Sequence, residues 1–322
     1  MNRGSEHRTR VSDYNEQLHY VNTVTVAGHI GSGKTAVCRR LHALTGWEIV
    51  SAGAILRSMA VEHGMSVLEF NEYAKSHPEI DQQIDSYIRS LASRPGQRIV
   101  DSRLAWHFLP MSHKVFLVVE PTVGAARVFG ATRPDESHLS IDTAAIDNAG
   151  RQRLERQRFT ELYGLDCDYW RNYDLVIDTT HITPEQGADV ILSSLDSRSE
   201  ADSKPDVWLS PRRLMPSRAI RELVSERADD STRIDIAVYR GFYLIVDGHA
   251  RVSAAIRSGS ALIRCRVVAF EQEPLYPELP LDEFARTSAT ESAIYDWEDV
   301  HGFQFAVYPP WLNAPCRQGL RP

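Results

Sequence analysis

Gly28-His29-Ile30-Gly31-Ser32-Gly33-Lys34-Thr35 fills every position of the pattern G-x-x-x-x-G-K-[ST]. Immediately before it, residues 21–27 (Val-Asn-Thr-Val-Thr-Val-Ala) form a largely β-branched run that reads as a strand, and residues 36–43 carry a helical pattern. Strand, glycine loop and helix in that order make an anion site. The glycines let backbone N–H groups converge, and the helix N-terminus adds a favourable dipole. Gly28, Gly31, Ser32 and Gly33 are therefore expected to wrap phosphate oxygens, Lys34 to reach the β and γ phosphates of Mg-ATP, and Thr35 to ligate the Mg²⁺.

Outward from the loop, a short apolar stretch at 47–50 precedes helical patterns at 55–59, 67–74 and 80–91. Short β-branched runs return at 98–100, 115–119 and 175–177, the last after a strongly helical 151–163. Strands alternating with helices imply an α/β fold, a parallel sheet flanked by helices. Ser51-Ala-Gly-Ala-Ile-Leu-Arg57 puts Arg57 in the first turn of a helix, where its guanidinium can grip an acceptor phosphate bidentately. Ile99-Val100-Asp101-Ser102-Arg103 ends a buried strand on an acid and an arginine, the usual place for ligand contacts in such sheets. Asp101 either holds Mg²⁺ through water or, like Ser102, caps a helix. Arg127, Arg133, Arg151, Arg153, Arg156 and Arg158 follow, the last four on one helical segment. They read either as a lid closing over the γ phosphate or as a solvated face salt-bridged to Glu155 and Glu161.

The 322 residues favour two domains. Residues 1–20 read as a disordered tail, 21–195 as the first domain, the polar stretch 196–207 as a linker, and 208–322 as a smaller α+β domain. Within the latter, strands at 234–238 and 242–246 join through Tyr239-Arg240-Gly241, a helix covers 252–257 and a strand 263–270, while 271–322, rich in Pro and aromatic residues, has weak periodicity. Asp247-Gly248-His249-Ala250-Arg251 lies at the turn from strand to helix. Gly248 permits close backbone approach, Arg251 is placed to clamp a phosphate, and His249 is either an acid–base group or structural.

Hydrophobic content of 43% with 25% charged residues is that of an ordinary globular chain, and no apolar run reaches the ~20 residues of a membrane helix. The formal charge of -7 gives no signal for nucleic acid. Four cysteines lie far apart without zinc-site spacing, which fits reduced thiols in the cytoplasm. The expected partners are a nucleotide or small-molecule acceptor, with neither membrane nor nucleic acid.

Gly28–Thr35, Ser51–Arg57, Met65-Ser-Val-Leu-Glu-Phe-Asn71, Glu79-Ile80-Asp81 with Ile84-Asp85, and Arg103-Leu104-Ala105 together resemble the compact cytidylate kinases of the archaeal type. Arg158-Phe159, Leu162-Tyr163-Gly164-Leu165-Asp166 and Tyr173-Asp-Leu-Val-Ile-Asp-Thr179 continue the likeness, so that it covers roughly 21–195. The resemblance implies ATP-dependent phosphorylation of CMP or dCMP, with Arg57 and Arg103 on the acceptor and Arg151 and Arg158 in catalytic lid positions; Asp101, at the strand end beside Arg103, is expected on the substrate side as well. The chain departs from the family at Ser102, Gln152 and Leu154, and at Phe159 where a tyrosine is expected. Those departures bear on the acceptor's identity and leave a small metabolite or modified nucleoside open. Residues 209–270 resemble the ParB and sulfiredoxin fold, whose Gly-x-x-Arg turn holds nucleotide phosphates. Ala250 and Ser217-Arg218 depart from its serine-kinase members. A nucleotide-gated regulator acting through this domain is the reading from a different class.

Overall fold

The computed structural model describes residues 23–131, 140–196, 205–218 and 233–312. The expected tail, most of the expected linker and Arg133 lie outside them. The chain divides into two compact units at Pro205/Asp206.

The first unit follows from its buried strands. β1 (Thr23–Gly28), β2 (Glu48–Ser51), β3 (Arg98–Asp101), β4 (His113–Val118) and β5 (Leu175–Asp178) form a sheet in the order β2-β3-β1-β4-β5, with every pairing parallel. Val24, Val26, Val115, Phe116, Leu117 and Ile177 are all buried, as expected of strands covered on both faces. The helices are α1 (Lys34–Thr45), α2 (Ala52–Glu62), α3 (Val67–Lys75), α4 (Pro78–Ser90), α5 (Ala105–Phe108), α6 (Pro121–Gly130), α7 (Ile141–Tyr163) and α8 (Pro184–Asp196). The apolar stretch at 47–50 is thus strand β2, and the helical pattern at 151–163 is the second half of a 23-residue helix opened by a Ser140–Thr143 capping box. Ser51 caps α2 through Ala54 N, so the helix starts at Ala52. Arg57 therefore stands in its second turn, not its first.

The second unit opens at β6 (Asp206–Leu209), two residues earlier than expected. With β7 (Leu214–Met215), β8 (Ile234–Tyr239), β9 (Phe242–Asp247) and β10 (Ile263–Phe270) it builds a mixed sheet, β6-β10-β8-β9-β7. The β8–β9 hairpin turns on Arg240 and Gly241, with φ of 51° and 79°, the two left-handed residues a tight hairpin requires. α9 (His249–Arg257) follows β9. The stretch after residue 271, weakly periodic in sequence, holds two helices, α10 (Leu281–Ser288) and α11 (Glu291–His301). They bury Leu281, Phe284 and Ala285, and Ala293, Ile294 and Trp297. Glu298 Oε1 accepts from Phe305 N (2.7 Å) and Tyr308 Oη (2.8 Å), fixing the chain beyond α11.

Candidate functional site

The glycine loop sits between the C-terminal ends of β1 and β4 and the start of α1. Gly28 has φ 148°, and a Cβ there would lie 2.2 Å from Leu117 O; at Gly31, φ 77°, it would lie 2.3 Å from Gly124 O. Both glycines are thus demanded by backbone packed against backbone. Gly33 caps α1 with no side-chain hydrogen bond, leaving the first N–H groups of the helix facing outward for an anion. Lys34 Nζ donates to Gly28 O (3.0 Å) and His29 O (3.1 Å). Burial, and secondarily the positive charge of Arg103, bring its pKa down to about 8. Thr35 Oγ1 donates to Asp101 Oδ2 at 3.1 Å. The two oxygens expected to face a divalent cation therefore stand together, an oxygen-donor pair of the kind Mg²⁺ accepts alongside phosphate and water.

Behind the loop, Arg127 donates to Thr179 O (2.7 Å), Thr179 Oγ1 (3.3 Å) and Gly31 O (3.4 Å), while Thr179 Oγ1 donates to Ser32 O (2.9 Å). Arg127, read from the sequence as either a lid or a solvated arginine, buttresses the loop from α6, and desolvation lowers its pKa. Nothing in its spacing to the other arginines distinguishes this role. Nothing in the sequence around Thr179 signals this contact either.

Arg103, at the end of β3, pairs with Glu155 of α7 at 2.9 Å, and Glu155 also takes Arg151 Nε at 3.2 Å. The i, i+4 spacing of Arg151 and Glu155 carries the signal for that second pair. Arg103 Nη1 is buried with no hydrogen-bond partner among the described residues. Arg158 reaches Asp81 of α4 at 3.7 Å, and Tyr163 donates to Asp85 of the same helix, whose carboxyl burial pushes up. Glu155 thus links Arg103 to Arg151, and Arg103, Asp101 and Glu155 all lie close enough to Lys34 for their charges to act on it, whereas Arg158 joins the α4 side. Arg57 is exposed, its guanidinium lies over Gly53, and it makes no ion pair among the described residues.

In the second unit Gly248, φ 95°, starts α9, and a Cβ there would lie 2.7 Å from Ile234 Cδ1 and 2.9 Å from Arg251 Nη2. Arg251 thus crosses directly over the turn and pairs with Asp247 at 3.5 Å. His249 is wholly buried and accepts from Ser217 N at 3.0 Å through Nε2. Burial, then the charge of Arg218, pushes its pKa down to about 3. The contact ties the 216–217 turn to α9, as the structural one of the two roles expected of His249 would require.

A parallel sheet in this order, with a glycine loop after its first strand, a lysine on that loop and an arginine-bearing helix beside it, defines a P-loop kinase. A family model described as an AAA domain matches residues 24–144. Cytidylate kinase of Thermoplasma volcanium is 32% identical over 183 residues, covering 56% of this chain and 94% of that protein. That of Pyrococcus abyssi is 36% identical over 174 residues, covering 54% and 93%. Over about half its length, the chain belongs to the cytidylate kinase family. An S-adenosylmethionine-dependent nucleotide dehydratase of Lacinutrix mariniflava is 34% identical over 185 residues, 57% of this chain but 38% of that protein. Among solved structures, shikimate kinase from Acinetobacter baumannii aligns with 55% of this chain and 94% of its own at 18% identity and a TM-score of 0.39, a likeness too loose to bear on the site. No helix among the described residues is long and apolar enough to cross a membrane.

Proposed function

We propose that the first unit transfers the γ phosphoryl group of ATP to a nucleoside monophosphate, CMP or dCMP, in the cytoplasm. The observation that carries this reading is the closeness of Arg103 to Lys34, beside the Thr35–Asp101 pair, which supports a donor-phosphate site with a largely buried cation for an acceptor phosphate next to it. The names of the relatives, cytidylate kinases and a nucleotide dehydratase, agree in concerning nucleotides. Transfer through a loose transition state needs positioning and charge neutralisation rather than a covalent intermediate. The loop N–H groups and Lys34 orient the donor, Arg103 the acceptor, and α7 arginines close over both. Thr35 and Asp101 would hold a Mg²⁺ ion, which would supply charge neutralisation for the donor phosphates. Arg57, exposed and without an ion pair among the described residues, is available to the acceptor phosphate from α2. The second unit is read as a ParB-like nucleotide-binding domain in which Gly248, Arg251 and the N-terminus of α9 face a phosphate, with Asp247 orienting Arg251.

The test is ADP release from Mg-ATP with CMP, dCMP, UMP, AMP, GMP, free serine or no acceptor, using Lys34→Ala as control. Stimulation by CMP or dCMP that vanishes in the variant supports the reading. Stimulation by a non-nucleotide acceptor alone moves it to a small-metabolite kinase, and none at all moves it to a nucleotide-gated regulator.

A further inference from the structure

Along its 23 residues α7 buries only Ala144 and Phe159. Glu155 marks the face that meets Arg103, and the face turned away from it looks into solvent. That outer face carries large apolar side chains. Ile146 is 71% and Leu154 61% exposed, and each stands about one helical turn, ~6 Å, from Gly150 between them. Gly150 has no explanation inside the chain. Gly28 and Gly31 are demanded by neighbouring backbone, whereas a Cβ built on Gly150 would meet nothing within 4 Å. In mid-helix, glycine is the poorest helix former after proline.

The residues around Gly150 answer one another at equal distances on its two sides. Three residues away stand Asp147 and Arg153, four away Ile146 and Leu154, seven away Thr143 and Gln157, all of them exposed. Acid thus answers base, apolar answers apolar, and hydroxyl answers amide. A single helix gains nothing from such symmetry. Two copies laid antiparallel about a two-fold axis through Gly150 gain all of it, because each residue on one side of the axis then faces its counterpart from the other copy.

We propose that two copies of this chain associate through α7, antiparallel, with Gly150 at the crossing. Glycine there lets the helix axes approach to about 8 Å. Ile146 packs on the partner's Leu154 and Asp147 pairs with the partner's Arg153, each contact occurring twice. Arg153 has no ion pair among the described residues and is available for this one. The opposed helix dipoles favour the same arrangement. A single helix pair is a small interface, at the low end of specific contacts, so the association depends on concentration. It leaves Arg151 and Glu155 in place on their own face, and it holds independently of the ATP reading.

Sedimentation velocity of the full chain without nucleotide, from about 1 μM to about 1 mM, tests it. The wild type is expected to form a dimer within that range. Asp147→Arg and Arg153→Asp should each weaken association about tenfold, since each loses two opposite-charge pairs and gains two like-charge ones. The double variant, with the charges exchanged, should regain wild-type affinity. Gly150→Gln should abolish association, while its monomer melts above the wild-type monomer because a good helix former replaces glycine. That rise separates loss of the contact from loss of the fold. A wild type that stays monomeric across the range overturns the proposal. So does a dimer that Gly150→Gln leaves intact, or a double variant that associates no better than the single ones, since either would put the seam elsewhere.

Discussion

Alanine at Gly31 and at Gly33 separates two costs of building the loop. The two glycines hold almost the same left-handed φ, 77° and 79°, so alanine meets the same backbone strain at either, about 1–2 kcal/mol. At Gly33 an added Cβ finds nothing within 4 Å, whereas at Gly31 it lands 2.3 Å from Gly124 O and 2.6 Å from Gly124 C. Those atoms are backbone of α6 and cannot swing aside like the end of a side chain. The loop or the helix must shift, at a further overpacking cost of about 1–3 kcal/mol. For a unit of this size each kcal/mol lowers Tm by about 2–4 °C. Gly33→Ala is therefore expected to lower the melting of the ligand-free first unit by about 5 °C, and Gly31→Ala by about 10 °C, in scanning calorimetry. Mg-ADP affinity should fall in both, and further in Gly31→Ala. Equal drops in Tm would refute the claim that the Gly31–Gly124 approach, rather than φ alone, dictates glycine at this position.

Lys34 held near 8 instead of 10.5 corresponds to about 3 kcal/mol of burial cost for the charged form. Lys34→Gln should thus melt at or above wild type at pH 7 while losing ATP. The gap should narrow as pH rises from 8 to 10.5, because the unfolded chain then binds a proton that the folded one lacks and wild-type stability climbs. A Lys34→Gln protein well below wild type at pH 7 would contradict this. Asp101→Asn and Thr35→Val should each raise the Mg²⁺ needed for half-maximal turnover about tenfold, and an unchanged Mg²⁺ titration would leave their 3.1 Å contact a purely structural one. The folded-state pKa of His249, about 3 against an ordinary 6.5, makes its contribution fully present above pH 6.5 and lost as pH falls toward 3. His249→Asn should flatten the acid limb of the second unit's melting profile while lowering its Tm at pH 7, and an acid limb as steep as wild type's would oppose the assignment.

The glycine loop and the strands around it were legible because their chemistry is local: a turn needs glycine, and a strand buried on both faces needs a β-branched run. The end of β3 was legible for the same reason, since Asp101 and Arg103 sit at a strand terminus whatever packs on them. What the arginines do was not, because an arginine's partner is chosen across the fold. Arg127 has the same local surroundings as a lid residue, and only the approach of Gly124 to Gly31 brings its guanidinium onto Thr179. The helices beyond residue 280 did leave traces. Leu281, Phe284 and Ala285, and Ala293, Ile294 and Trp297, repeat at helical spacing, but the two helices are only 8 and 11 residues long with a break between them, so each period is short.

The ion pairs of α7 differ in how readily a phosphate can take them over. Of its 23 residues only Ala144 and Phe159 are buried, so apolar packing contributes little and polar ties hold much of its position. Arg158 and Asp81, 3.7 Å apart with the arginine side chain 42% exposed, form a long, solvated pair worth under about 1 kcal/mol. Arg151 and Glu155, an i, i+4 pair with the arginine 56% exposed, contribute about 0.3–0.5 kcal/mol. Arg103 and Glu155 are closer, 2.9 Å, and far less exposed, at 14% and 22%. A dianionic phosphate offering charge-assisted bonds outcompetes the first two at little cost, but removing Arg103 from Glu155 would strand a half-buried carboxylate unless Arg151 stays behind to neutralise it. Glu155 therefore links the two arginines: when Arg103 turns to an acceptor, Arg151 is the cation that must remain, and the positive charge closing over the donor has to come from elsewhere on α7.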